Sequence, residues 1–263
     1  MAETLHREQH GRVLVLTIDR PAKRNALDQT TASAIADAVG GAPDDIGCVV
    51  LAANGPHFSA GLDLNELHET DAVGALTHSR RWHRLMDQVQ FGAVPVVSAL
   101  HGAVIGGGFE VAAATHVRVA DTSTYFALPE GARGIYVGGG GTARLPRLMG
   151  TALMTDMMLT GRVLTAEEGE RAGIVQYLVG EGQATEKAIK IAERIAGNAR
   201  MTNFALTQML PRMHDAGQEA ALVTESLMVA VAQQDTEARS RLGDFLSGRS
   251  ERVRPAGGGE EDA

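Results

Sequence analysis

Short runs of β-branched and apolar residues alternate with helix-patterned stretches through the first half of the chain, and this alternation limits the possible folds more than any other feature. The strand-like runs are "RVLVLTIDR" (12–20), "DIGCVVLAAN" (45–54), "VPVVSALHG" and "HVRVADTSTYFAL". Each is bounded by turn formers, such as the glycine before Arg12 and Pro21 after Arg20. Between them lie "LDQTTASAIADAVG", "GALTHSRRWHRLMDQV" and "GFEVAAATH", which carry helical patterning. Strands alternating with helices predict an α/β architecture. After Gly150 the pattern turns almost wholly helical, from "TALMTDMMLTGR" through "TAEEGERAG" and "ATEKAIKIAERIAGNA" to residue 249. The expected organisation is an α/β core over residues 1–198 and a helical region over 199–250. The closing stretch 251–263, which ends "RPAGGGEEDA", has too little apolar content to order itself.

Composition narrows the partners. A chain of 263 residues with 44% hydrophobic content can bury a large core. Its longest apolar region, "FGAVPVVSALHGAVIGGG", is broken by Pro95, His101 and glycines short of the roughly 20 residues a membrane helix needs. No membrane partner is expected. The polar start "MAETLHREQHG" lacks the apolar core of a secretory signal, so a cytoplasmic location is expected. The one cysteine, Cys48, cannot form an internal disulfide and reads as a small strand residue. A net charge of −8 argues against nucleic acid, which needs a Lys and Arg excess on one face. A small molecule is the expected partner, and an anionic one would need local cations, with "RPAKRNAL" the first candidate.

Three stretches then carry the chemistry: "HFSAGLDL" (57–64), "AVIGGGFEVA" (103–112) and "YFALPEGARGIYVGGGGTARL" (125–145). A glycine-rich turn before a helix can cradle phosphate or hold a developing oxyanion. The nucleotide fingerprints are missing. "GGGFEV" lacks the third glycine spacing and "GGGGTARL" has no lysine before Thr142. An oxyanion site explains the residues better, with the Gly107 N–H at a helix start and the Leu62 N–H just past Gly61 as the donor pair. Such a site serves an enolate and requires proton transfer, for which Glu110 and Glu130 are candidates. Taken singly, Glu110 is an ordinary helix residue and Glu130 a turn carboxylate. Behind glycine-rich turns in apolar surroundings, both would have raised pKa values suited to acid and base work. His78 and His83, about 140° apart on a helix, do not make a ligand pair and read as a solvated or interfacial face. His57, His101 and His116 read as structural, and no metal motif is present.

The segments "RPAKRNAL", "FSAGLDL", "VIGGGFEVAAATHVRVA", "FALPEGARGIYVGGGGTARLPRLMG" and "LTGRVLTAEEGERAGIVQYLV" resemble, in order and spacing, the enoyl-CoA hydratase/isomerase (crotonase) family over residues 8 to 250. The stretch from "SRRWHRLMD" to "STYFALPEGARGIYVGGGG" is most similar to the (methylthio)acryloyl-CoA hydratase-like subgroup. The resemblance implies a crotonase-like spiral of ββα units, a helical C-terminal region used in trimer assembly, and a homotrimer or dimer of trimers. It also implies an acyl-CoA thioester as substrate and no separate cofactor. Carried onto matching positions, the oxyanion donors are Leu62 and Gly107, Glu110 activates water, and Glu130 exchanges the proton at the α carbon. Two carboxylates favour hydration to a 3-hydroxyacyl-CoA over isomerisation or other enolate chemistry, and a non-catalytic acyl-CoA binder would need neither. Contacts to CoA are implied at Lys23, Arg24, Ala26, Ala60, Leu62, Asp63 and Leu64. Two departures stand out: Asn65, where many relatives have a lysine that meets CoA phosphates, and Val137, where a proline is common.

Overall fold

The computed structural model describes residues 4–63 and 71–249. The chain divides into two compact units, Met1–Gly197 and Asn198–Ala263.

The first unit is built on a six-stranded sheet of β1 (Leu5–His10), β2 (Val13–Ile18), β3 (Cys48–Ala53), β4 (Val96–Leu100), β6 (Val117–Asp121) and β9 (Tyr177–Val179), in that order. Only the β1–β2 hairpin is antiparallel. A second sheet contains β5 (Ala103–Ile105), β7 (Tyr125–Ala127) and β8 (Leu164–Thr165). A single parallel bridge, Ser59 to Val104, continues that second sheet. The chain therefore repeats one course: a strand in the large sheet, a short strand in the small sheet, then a helix. It runs β4, β5, α3 (Gly107–Ala114), and again β6, β7, α4 (Gly141–Met149).

Alternation along the strands places the core. Val13, Val15, Val50, Ala52, Val97, Ala99 and Val119 pack against α7 (Ala184–Ala196) through Ala184, Ala188, Ile191, Ala192 and Ala196. The intervening Leu16, Ile18, Val49, Leu51, Val96 and Leu100 face the other layer, with Ile35 and Val39 of α1 (Gln29–Gly40) and Met86 and Val89 of α2 (Ala72–Gln90). Side chains alternate across a strand, so a run apolar at every position is buried on both faces. Cys48 is buried in this sheet, and burial pushes its thiol up to about 12, which leaves it unreactive.

One sequence expectation needs correction. "HVRVADTSTYFAL" is two strands in two sheets: Asp121 Oδ1 accepts from the Ser123 amide at 2.9 Å and from its hydroxyl at 2.5 Å, and this turn redirects the chain. "VPVVSALHG" contains β4, and the short strand β5 of the second sheet begins just past Gly102, whose φ is +53°.

The second unit is helical: α8 (Arg200–Phe204), a π-helical turn over Ala205–Met209, α9 (Leu210–Asp215), α10 (Gln218–Gln234) and α11 (Thr236–Leu246). Asp235 caps α11, accepting from the Ala238 amide at 2.9 Å. Among the described residues, no helix is long and apolar enough to cross a membrane.

Candidate active site

The site is built from the first stretch of the small sheet and the start of α3. Gly106 adopts φ +50°, ψ −119°, a backbone region open in practice only to glycine. Its amide donates to Ala127 O at 3.0 Å, so the turn is pinned to β7. A Cβ there would stand 2.6 Å from Glu130 Oε1. Gly107 begins α3, where an amide has no intrahelical acceptor. A Cβ on Gly107 would lie 3.2 Å from the Leu62 nitrogen, and one on Gly61 would lie 3.6 Å from the Gly107 nitrogen. The Leu62 and Gly107 amides are thus neighbours, and neither has an acceptor among the described residues. A side chain on Gly108 would strike Ser59 Cβ at 2.6 Å, which shows how closely α3 lies on the 59–62 turn. That turn is fixed by Leu27 N to Gly61 O at 2.8 Å and Asp63 N to Leu27 O at 2.8 Å.

Two carboxylates flank the donors. Glu110, in the first turn of α3, is only 6% exposed, and its Oε1 accepts from Gly139 N at 2.8 Å and Gly141 N at 2.7 Å. Burial pushes its pKa from 4.5 up to about 7; those two hydrogen bonds and Arg144 oppose the shift, and the charge of Glu130 adds to it. Glu130 is 7% exposed and is also raised by burial, against the pull of its own backbone and of Arg133. Its Oε2 is buried with no hydrogen-bond partner. Phe109 packs on Phe126 with ring centroids 5.1 Å apart, which ties α3 to β7 just ahead of Glu130.

Glu110, Glu130, Gly107, Leu62 and Ala60 all line one cavity of about 660 Å³. Its walls are largely apolar, with Val73 and Trp82 from α2, Ile105 from β5, and Ile135, Tyr136 and Val137 from the segment before α4. The arrangement sets two unpaired amides beside two carboxyl groups whose pKa values burial raises, a combination that can hold an anion and exchange protons. Among the described residues, no cluster of His, Cys, Asp and Glu could hold a metal ion.

Comparison with known proteins gives this geometry a context. The enoyl-CoA hydratase/isomerase family model matches residues 8–251. The chain belongs to this family. It is 32% identical over 241 residues to the 2,3-dehydroadipyl-CoA hydratase of Escherichia coli K12, covering 91% of this chain and 94% of that one. It is 34% identical over 212 residues to the carnitinyl-CoA dehydratase of Salmonella enteritidis PT4, covering 80% of each. A crystal structure from Rhodopseudomonas palustris CGA009, given as a candidate enoyl-CoA hydratase, superposes with a TM-score of 0.90 at 52% identity over 94% of this chain and 95% of that one. The fold is the crotonase-like α/β spiral with a helical C-terminal region.

Among the positions that family resemblance suggests for CoA, Ala60 and Leu62 line the cavity, whereas Lys23, Arg24, Ala26 and Asp63 do not; the Arg24 carbonyl accepts from the Ala60 amide at 3.0 Å. Lys23 Nζ is 3.0 Å from Asp63 Oδ2, so this cation is already partnered. Leu64 and Asn65 lie outside the described residues. Sequence reasoning missed Arg20, which donates to Ala26 O and pairs with Asp63 at 2.9 Å and Asp28 at 3.0 Å. It also missed the stripe of α2 that meets the 138–141 turn. His78 and His83 are both half-buried, and His83 lies 3.3 Å from Ser79 Oγ. His57, His101 and His116 do make structural hydrogen bonds, with Ala103 N, Gly55 O, and Val96 N and Gln90 O respectively.

Proposed function

We propose that the protein is an enoyl-CoA hydratase that adds water across the α,β double bond of an acyl-CoA thioester to give a 3-hydroxyacyl-CoA. One observation carries the reading: two buried carboxylates with raised pKa values, Glu110 and Glu130, share a cavity with the unpaired Leu62 and Gly107 amides. In this reading the thioester oxygen accepts from both amides. The Glu110 carboxylate takes a proton from water as the water oxygen bonds to the β carbon. Electron density moves to the thioester oxygen, where one lost donor would typically cost about 3–4 kcal/mol of barrier. Glu130 in its protonated form, which burial favours, gives its proton to the α carbon. Glu110 ends protonated and Glu130 ionised, and exchange with solvent restores both.

Isomerisation needs one proton-transfer group to shuttle a proton between carbons, and an acyl-CoA binder needs none. A pair favours hydration. The relatives named above, a hydratase and a dehydratase acting on CoA esters, support the same direction. The proposal includes no metal and no cofactor besides the CoA of the substrate, a cytoplasmic location, and a homotrimer or dimer of trimers assembled through the helical C-terminal region. Lys23 and Arg24 are proposed to meet CoA phosphates, with Ala26, Ala60, Leu62, Asp63 and Leu64 as further CoA contacts. The test is to mix the purified protein with crotonyl-CoA, (methylthio)acryloyl-CoA and longer enoyl-CoAs and follow loss of the conjugated thioester absorbance. Loss with at least one of them is expected. Tight binding of every one without hydration would favour the isomerase or binder reading instead.

A further inference from the structure

The two amides that hold Glu110 belong to peptide planes whose carbonyls are anchored elsewhere. A peptide is planar, so its C=O and the following N–H move as one body. The Gly139 amide shares its plane with the Gly138 carbonyl, which accepts from Ser79 Oγ at 2.7 Å. The Gly141 amide shares its plane with the Gly140 carbonyl, which accepts from the Ala143 amide at 3.1 Å and the Arg144 amide at 3.2 Å in the first turn of α4. Between them, the Gly139 carbonyl takes Arg144 Nη1 at 3.3 Å. Gly140 has φ +100°, so the turn has little stiffness of its own. One of the two planes that serve Glu110 is therefore anchored by the backbone of α4, and the other by the side chain of Ser79.

Ser79 belongs to a stripe on α2. Ser79, His83, Asp87 and Gln90 recur every three or four residues and share one side of the helix. Asp87 pairs with Arg144 Nη2 at 2.6 Å and Gln90 Oε1 accepts from Arg144 Nε at 2.7 Å. This helix thus holds the turn twice, once directly and once through Arg144.

Resting on the hydratase reading of Glu110, we infer that Ser79 is a positioning residue: by fixing the Gly138 carbonyl it keeps the Gly139 amide on Glu110, and so sets where the base stands and the pH at which it ionises. The charged and titratable groups around Glu110 are Glu130 ahead of the turn that follows β7, Arg144 from α4, and His83 and Asp87 on α2 behind Ser79 and Arg144. A change confined to Ser79 leaves Glu130, Arg144 and Asp87 with their partners and removes only the 3.3 Å contact of His83 with the Ser79 hydroxyl. Without its hydroxyl the Gly138–Gly139 peptide is released, and Glu110 loses a donor that favours its charged form.

The experiment follows the Glu110 carboxyl by carbon-13 NMR across pH, with the signal identified by its loss in Glu110→Gln, together with kcat and KM for crotonyl-CoA. In Ser79→Ala the midpoint should rise by at least about half a pH unit. The acid limb of kcat/KM should move with it, and kcat should fall about tenfold or more while KM stays within about twofold. Ser79→Thr, which keeps the hydroxyl, should restore the parent midpoint. An unmoved midpoint in Ser79→Ala, or a loss of kcat at the parent midpoint that Ser79→Thr does not rescue, would overturn the assignment. If Ser79→Ala fails to fold, Ser79→Cys retains a weak donor at the same place and should give an intermediate midpoint, with the parent midpoint counting against the inference. If the parent hydrates no enoyl-CoA, the hydratase reading falls, yet the NMR midpoint still decides whether Ser79 governs Glu110.

Discussion

Replacing Gly141 by alanine should disable Glu110 while leaving the fold intact. Gly141 opens α4 and is absent from the positive-φ positions, so its backbone accepts alanine without strain. What an added Cβ meets is Glu110: Oε1 at 2.8 Å, Cγ at 3.1 Å and Cδ at 3.3 Å. The carboxylate must swing away, and its 2.7 Å bond from the Gly141 amide is lost. A hydrogen bond to a charged group contributes about 1.5–3 kcal/mol, which at 1.36 kcal/mol per pKa unit raises the pKa by about 1–2 units. From a starting value of about 7, the ionised fraction at pH 7 would fall from about a half to between about a tenth and a hundredth. The ionisation effect alone then lowers kcat/KM for crotonyl-CoA at pH 7 by about 5- to 50-fold, and the acid limb moves to higher pH. Alanine gains about 0.5–1 kcal/mol over glycine in a helix, which offsets only part of the lost hydrogen bond, so the melting temperature should fall modestly while the transition stays cooperative. Stopped-flow or steady-state rates from pH 5 to 10 and one thermal melt, with ranges on the order of those in which carboxylates with raised pKa titrate, test both halves. A Gly141→Ala protein with the parent's limb and rate would refute the reasoning.

Burial also makes Glu110 a pH-dependent cost. Its folded pKa lies above the ordinary 4.5, so the stability tied to its protonated form is present at low pH and lost as pH rises through about 7. Glu110→Gln escapes that loss, and its unfolding free energy should exceed the parent's by up to about 3 kcal/mol near pH 8.5 and converge near pH 4, as read from urea titrations. Replacing Lys23 and Arg24 together by alanine should raise KM for CoA thioesters and weaken its salt dependence with little change in kcat. Arg20 at 2.9 Å still holds Asp63 in that variant, and a KM unchanged across salt concentrations would remove the phosphate assignment. Leu222, Val223, Leu227, Val229 and Val231 on α10 are exposed in the single chain, as are Leu242, Phe245 and Leu246 on α11. Light scattering should therefore show a trimer or hexamer, and a fully active monomer would contradict that expectation.

Much of this was legible in the sequence where a signal is local. The strands of the large sheet are runs of apolar residues, and the glycines beside Glu110 and Glu130 mark places where backbone must approach a carboxylate. β1 was not legible, because only Leu5 of its six residues is buried and no alternation results. The split of "HVRVADTSTYFAL" depended on which sheet each half joins, a tertiary fact carried by the Asp121 turn. Ser79 and Gly138 are 59 positions apart, and Lys23 and Asp63 are 40 apart. Nothing local in "HSRRWHR" distinguishes a helix face that supports a turn from a solvated one, and nothing in "RPAKRN" shows that Asp63 already holds Lys23. Glu110 and Glu130 were reachable because a carboxylate in apolar company is itself unusual, whereas a serine on a helix is not.

The central claim is that two carboxylates divide one addition, and proton NMR of crotonyl-CoA hydration in heavy water tests it most directly. The parent should form 3-hydroxybutyryl-CoA carrying deuterium at the α carbon. Glu110→Gln and Glu130→Gln should each slow hydration by at least about 10² while still binding the thioester, and Glu130→Gln should also abolish deuterium entry at the α carbon. Hydration at the parent rate by either variant would contradict the two-carboxylate account, as would α-carbon exchange that survives Glu130→Gln unchanged.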